Sequence, residues 1–399
     1  MTSPATGYEA VEAGTDLAVR ARELQRTHDE VISGRRPRAR PRAVVARSWR
    51  RTMAAGLEPD RQNGRDPLSA AVVEERRTAS PLSLIVDELR AGLGSVGDAS
   101  HFLVVVTDGD GVVLWRDGSS AIRRHADRLG FAEGATWTEE TVGTNAIGTA
   151  LAEAAPVQLF SAEHFEQQQH PWYCSAVPVH DPRTGDLLGI VDVSGPALTL
   201  HPAVGALVET SVRLAESRLW QRHRDQLEQL RRSTEAVVSG SRGPLLVVDD
   251  LGWVAHSSGV TSRDRVEVPH PDRPLAVPGL GLCVPERLSG GWLVRPPGEG
   301  SRLRARLEPG PHPVLVVSGE GGAWTHVLTR RHAEILRALA EAPPPGLGAA
   351  ELSVLLHGDA EHQVTVRAEV SRLRRGIGGL VATSPYRLAD GVALEIGQD

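Results

Sequence analysis

Residues 137–195 read WTEETVGTNAIGTALAEAAPVQLFSAEHFEQQQHPWYCSAVPVHDPRTGDLLGIVDVSG, and this stretch decides the fold. Within it, 143–154 has the spacing of a short helix, with Thr144 or Asn145 suited to its N-cap. SAVPVHD (175–181) and LLGIVDVSG (187–195) are apolar, β-branched runs on either side of a Pro182–Gly185 turn, the pattern of two paired strands. Toward the N-terminus, HFLVVVTD (101–108) and VVLWR (112–116) flank Gly109-Asp110-Gly111, a hairpin-type turn. Before them, Leu68, Val72, Val73, Leu82, Ile85, Val86 and Leu89 recur at roughly helical spacing across 67–95. Helix, hairpin, helix-rich middle and hairpin predict an α+β fold, with helices packed on one antiparallel sheet.

Composition narrows the function. Of 399 residues, 44 are Lys plus Arg, and every one of these is Arg. Without lysine there is no P-loop GxxxxGK[ST], no Schiff-base amine and no kinase strand Lys, so ATPase, Schiff-base and kinase chemistries are unsupported. Charged residues make up 24% and hydrophobic residues 40%, with a formal net charge of -6, which suits an ordinary globular chain of two or three domains. No apolar run reaches the ~18 residues of a membrane span, and 1–30 lacks the pattern of a secretory leader. Cys174 and Cys283 make no disulfide framework, so a cytoplasmic protein with no membrane partner is expected.

Around this central block the chain divides into five parts. Residues 1–60 form a basic N-terminal arm and helix: eight Arg and no acid fall between Arg35 and Arg51. Such an arm can touch nucleic acid, or dock on its own acidic domain. Residues 61–201 hold the predicted sheet and its helices. Residues 202–240 predict a long connecting or dimerisation helix, carrying a broken apolar stripe through Val204, Leu207, Val208, Val212, Ala215, Leu219, Leu227 and Leu230. Residues 241–327 read as short strands between Pro/Gly-rich turns, a small β-rich module resembling a shrunken sensory domain. Residues 328–399 give helix (329–343), helix (348–359), basic helix (364–379) and a hairpin of 381–388 with 392–396, the order of a winged helix-turn-helix.

PRAVVARSWRRTMAAGLEPD (41–60), taken with 137–195, resembles the GAF sensory region of acetoin-catabolism-type transcriptional activators. The resemblance runs over about 41–230 and is most specific across Glu139–Gly195. It implies a small effector bound in a GAF domain. In that family an ATPase working with an alternative sigma factor follows, and the lysine-free chain departs there. VTVRAEVSRLRR (364–375) and SPYRL (384–388) instead resemble the winged helix of response regulators and related actinobacterial GAF regulators. Together they imply a one-component, ligand-responsive regulator without ATP-driven promoter opening.

A pocket between the sheet and the helical middle has Trp137, Phe165, Trp172 and Tyr173 as candidate walls and Glu163, His164, His170 and Cys174 as its polar cluster. Packing in the core is the alternative for each aromatic. The His and Cys spacing fits no metal motif, so neither metal nor cofactor is expected. Cys174 near histidines also allows a thiol redox sensor or a methionine-sulfoxide-reductase-like enzyme, if the thiol is acidified beside a base. Asp192 reads as a structural carboxylate.

In the basic helix, Arg367 and Arg374 lie seven apart on one face, suited to base edges, with small Ser371 between them. Thr365, Arg372 and Arg375 are candidate phosphate contacts, and Arg387 reaches from the hairpin. The 329–399 window carries eight Arg against nine acids, so a homodimer reading paired half-sites of double-stranded DNA is expected. A signalling adaptor whose winged fold binds protein is the remaining class.

Overall fold

The computed structural model describes residues 8–61, 66–100, 102–261, 263–271, 273–297, 303–319 and 322–397. It divides into two compact units, Met1–Arg222 and His223–Asp399.

The first unit opens with helices α1 (Leu17–Ile32), α2 (Ala43–Ala54), α3 (Ala70–Ala79) and α4 (Val86–Ser100). Strands β1 (Leu103–Asp108) and β2 (Val113–Asp117) follow, then helices α5 (Ser120–Asp127), α6 (Glu139–Val142) and α7 (Ala146–Glu153). Strands β3 (Val157–Phe160), β4 (Trp172–His180) and β5 (Leu187–Pro196) complete an antiparallel sheet in the order β2-β1-β5-β4-β3.

Alternation along the strands sends successive side chains to opposite layers. Val104, Val106, Tyr173, Val177, Val191 and Val193 face one core with Leu89 and Leu93 of α4. Leu103, Val105, Trp172, Ala176 and Ile190 face the other, against Val45 and Trp49 of α2 and Ala146, Ile147 and Ala150 of α7. Each fully buried aliphatic side chain of this kind stabilises by about 1.5–3 kcal/mol. The cap of α7 is Asn145, whose side chain accepts from Gly148 N at 2.9 Å; Thr144 is buried in a different network.

The long helix α8 (Val204–Ser233) is present, with short α9 (Glu235–Gly240) after it. Its stripe is used within the chain: Val204, Val208, Val212, Ala215 and Leu219 join the first core, and Leu230 packs with Leu245, Val247 and Leu293 of the second unit. Most of the stripe is therefore buried within the chain, with Leu207 and Leu227 half-buried.

In the second unit, β6 (Leu245–Val248), β7 (Val254–Ser258), β8 (Leu275–Val277), β9 (Gly281–Leu288) and β10 (Gly291–Arg295) form a sheet ordered β7-β6-β10-β9-β8. Counted from its own first strand, this is the permutation of the first sheet. Leu246, Val248, Leu275, Val277, Cys283 and Val294 make its core, so Cys283 is a buried hydrophobe.

The expected 241–327 module divides at this point. Strands β11 (Leu303–Glu308), β12 (Val314–Gly319) and β13 (Gly322–Val327) belong to another sheet, ordered β13-β12-β11-β16. They pack beneath helices α10 (Arg330–Glu341), α11 (Ala349–His357) and α12 (Gln363–Ile377), sharing one core through Leu307, Leu315, Ile335, Leu336, Val366 and Leu373. The terminal hairpin also differs from expectation. Strands β14 (Val381–Thr383) and β15 (Tyr386–Leu388) pair with each other around Ser384-Pro385, whereas β16 (Val392–Ile396) runs parallel to β11.

Candidate sensor core and nucleic-acid interface

The basic arm is docked on the sensor fold rather than extended from it. Arg42 donates to Glu163 through Nε at 2.8 Å and Nη2 at 2.9 Å, and also to the carbonyl of Gln158. Arg47 and Arg51 pair with Glu153, and Arg51 with Glu139. Beneath them Ser48 Oγ lies 2.5 Å from Glu139 Oε1 and 2.7 Å from Thr144 Oγ1, a buried polar network joining α2 to the EETVGT segment. A boundary at residue 60 thus cuts through one packed body. Arg35, Arg36, Arg38 and Arg40, between α1 and α2, are exposed.

The predicted pocket residues separate into several environments. Trp137 is buried, its ring centroid 4.1 Å from that of Phe131. Phe165 is buried in the α2 layer, and its carbonyl accepts from His28 Nε2 at 3.0 Å. Glu163 is bound by Arg42. His170 turns toward α1, with Nδ1 2.8 Å from Gln25 Oε1 and its ring 4.8 Å from that of His28. Tyr173 lies on the opposite side of the sheet from its neighbours Trp172 and Cys174.

Trp172 and Cys174 lie in the same α2 layer as Trp137 and Phe165, and His164 meets Cys174 there. Asp192 and Ser194 of β5 join them, because Cys174 stands opposite Ser194 in register. His164 Nε2 is 3.3 Å from Cys174 Sγ, while Nδ1 is 2.9 Å from the Ser161 carbonyl. Burial pushes His164 down to about 4, so near neutral pH it is uncharged. Its Nδ1–H then donates to Ser161, which leaves Nε2 to accept from the Cys174 thiol. Burial, reinforced by the Asp192 carboxylate, pushes that thiol well above its ordinary range. This is the reverse of an activated thiolate–imidazolium pair.

Ser194 Oγ lies 3.0 Å from Cys174 Sγ and 2.5 Å from Asp192 Oδ2. Desolvation raises Asp192 to about 7. Its Oδ1 and the Trp172 Nε1 are buried without a hydrogen-bond partner, one acceptor and one donor on the same face. Among the described residues, no group of three or more His, Cys, Asp or Glu side chains is placed to hold a metal ion.

In the second unit the basic helix is α12. Val366, Val370, Leu373 and Ile377 are buried, as their spacing predicts. Thr365, Arg367, Ser371, Arg372 and Arg375 are exposed, and Arg374 is half-buried. Arg367, Ser371, Arg374 and Arg375 line a groove of about 230 Å³ together with Thr383 and Tyr386 of the hairpin. Glu267 lines it too, a residue with no sequence signal for this place. Arg372 pairs with Glu369, and Arg387 pairs with Asp390 at 2.5 Å.

A buried polar cluster on the first sheet and a basic helix beside a hairpin in the second unit suit a transcriptional regulator. Residues 18–216 match the family model described as the MimR N-terminal domain, and the chain belongs to that family of regulators with a GAF-type sensory region. An uncharacterized 47.3 kDa protein of the thcA 5′ region in Rhodococcus erythropolis is 31% identical over 98% of this chain and 74% of its own length. The acetoin dehydrogenase operon transcriptional activator AcoR of Bacillus subtilis is 34% identical over 54% of this chain, and the chain spans 36% of that protein. The propane 2-monooxygenase operon transcriptional activator MimR of Mycolicibacterium smegmatis is 30% identical over 44% of this chain and 29% of its own length. Among solved structures, a chain of the Escherichia coli DhaR(N)–DhaL complex is similar over 63% of this chain and 99% of its own, with 16% identity and a TM-score of 0.43. No helix among the described residues is long and apolar enough to cross a membrane.

Proposed function

We propose that this chain is a one-component transcriptional regulator that binds a small effector over the Asp192 face of its first sheet and contacts duplex DNA through α12 and the β14–β15 hairpin. The observation that carries the reading is the α12 groove, where Arg367, Ser371, Arg374 and Arg375 meet Thr383 and Tyr386. Exposed arginines on one helix face can reach guanine edges, and the hairpin and flanking Arg372 can hold phosphates. The buried Asp192 carboxyl and the buried Trp172 Nε1 support an effector with both hydrogen-bond donor and acceptor groups. Names of relatives as operon activators support regulation of transcription, and action on DNA fits a cytoplasmic protein.

The reading includes a homodimer, because a reader region with no net positive charge gains from pairing two half-sites. A thiol enzyme is disfavoured by the protonated Cys174 and neutral His164.

The test is selection of duplexes from a fragment library of the host genome by the full chain, followed by anisotropy titration of the enriched sequence. Arg367→Ala is expected to weaken binding by about 1–3 kcal/mol and to relax preference at one base position. A full chain that enriches no sequence overturns the reading.

A further inference from the structure

The last turn of α12 is seated against the middle sheet. Arg273 Nη1 donates to the Arg375 carbonyl at 2.6 Å, and Gly379 N donates to the Pro274 carbonyl at 2.7 Å. Their approach requires residues without side chains. A Cβ on Gly378 would stand 2.4 Å from the Pro274 carbonyl oxygen, and one on Gly379 would stand 2.5 Å from Ala276 N. The segment leading into β8 and the end of the basic helix are thus built to touch.

That segment also places an acid where DNA is expected. Glu267 lines the α12 groove with Arg367, Ser371 and Arg374, and its Oε2 lies 3.9 Å from Arg374 Nη2. Glu267 is about half exposed and Arg374 about one third, so the pair is a weak one. Its position matters more than its strength. A phosphate entering beside Arg374 meets a like charge already in place, and the bonds from Arg273 Nη1 and Gly379 N hold that segment there.

We propose that Glu267 stands in for a DNA phosphate, so that the middle sheet holds α12 in a state closed to DNA. The proposal rests on the reading of α12 as the DNA-contacting helix. DNA binding and release of the 265–277 segment are then coupled, and each favours the other by the same factor. The sheet of β6–β10 thereby becomes a control element: whatever loosens it from Gly378 and Gly379 raises affinity for DNA.

The experiment uses the full chain and a pool of random-sequence duplexes of roughly 25 base pairs, titrated by anisotropy at low salt. Glu267→Gln is expected to tighten binding by roughly fivefold. Glu286→Gln, which makes the same charge change where Glu286 pairs with Arg295 on the middle sheet, is expected to leave binding unchanged. Arg367→Ala is expected to weaken binding in both the wild-type and Glu267→Gln backgrounds. Saturating duplex is expected to raise hydrogen exchange across 265–277. Equal affinity of wild type and Glu267→Gln, with Arg367→Ala still weakening both, overturns the closed state and leaves the DNA reading standing. Equal tightening by Glu286→Gln overturns it as well, since net charge then explains the gain. No binding by any variant removes the DNA reading and the closed state together.

Discussion

Arg42 and Glu163 meet through two parallel hydrogen bonds, Nε to Oε1 at 2.8 Å and Nη2 to Oε2 at 2.9 Å, with the carboxylate almost wholly buried. Two-pronged pairing of this kind fixes orientation as well as distance. It joins the start of α2 to the turn after β3, so the arm and the sheet fold as one body. Arg42→Ala leaves a buried carboxylate without its partner, and the expected loss is about 3–5 kcal/mol in urea unfolding of the full chain. Replacing both residues by Met is expected to cost less than the single change. A double variant no better than Arg42→Ala would show that the pair does not act as a unit.

Cys174 is expected to be chemically quiet. Burial and the nearby Asp192 carboxylate keep its thiol protonated at neutral pH, and burial pushes Cys283 up to about 12. Alkylation by iodoacetamide at pH 7.5 should be slow for both cysteines in the native chain and fast for both in denaturant. Cys174→Ser should leave the enriched-duplex affinity unchanged within about twofold. Rapid native alkylation at Cys174 would restore the thiol-sensor reading.

The pH dependence of stability should carry two opposing contributions. Asp192 rises from 3.8 to about 7 on folding, so between these values the folded state binds more protons than the unfolded one. Stability from this source is present at low pH and is lost as pH rises through about 7. His164 falls to about 4 and His170 to about 3, both below the 6.5 of the unfolded chain. Their contribution has the other sign, present above about 6.5 and lost as pH falls toward 4. Asp192→Asn removes the first contribution alone. Its stability relative to wild type should therefore increase from pH 4 to pH 7 and level off above, measured by denaturant midpoints at each pH. A difference independent of pH would mean that Asp192 is ionised in the folded chain throughout.

The inward face of α12 was legible because Val366, Val370, Leu373 and Ile377 keep helical period, and all four are buried. The antiparallel first sheet was legible from its two hairpins. The strand period carries further information about the site. Tyr173 and Cys174 are neighbours on one strand and must face opposite layers, whereas Asp192 and Ser194 must share one. The register placing Cys174 opposite Ser194 depends on where two strands meet, which no local pattern fixes. The same holds for Glu267, which reaches α12 through tertiary packing of a loop, and for β16, whose parallel partner β11 lies far earlier in the chain.

That last pairing sets where the C-terminal unit can be cut. Leu303, Leu307, Leu315 and Val317 of β11 and β12 are buried in the core that supports α10, α11 and α12. A fragment beginning at Arg330 discards all four and leaves β16 without its neighbour. At about 1.5–3 kcal/mol for each side chain, the loss is about 6–12 kcal/mol, comparable with the whole stability of a small domain. The 330–399 fragment is therefore expected to lack dispersed amide resonances in a two-dimensional NMR spectrum. A 298–399 fragment retains both strands and is expected to give a dispersed spectrum and a cooperative unfolding transition. A folded 330–399 fragment would show that the three helices and the β14–β15 hairpin stand without the sheet beneath them.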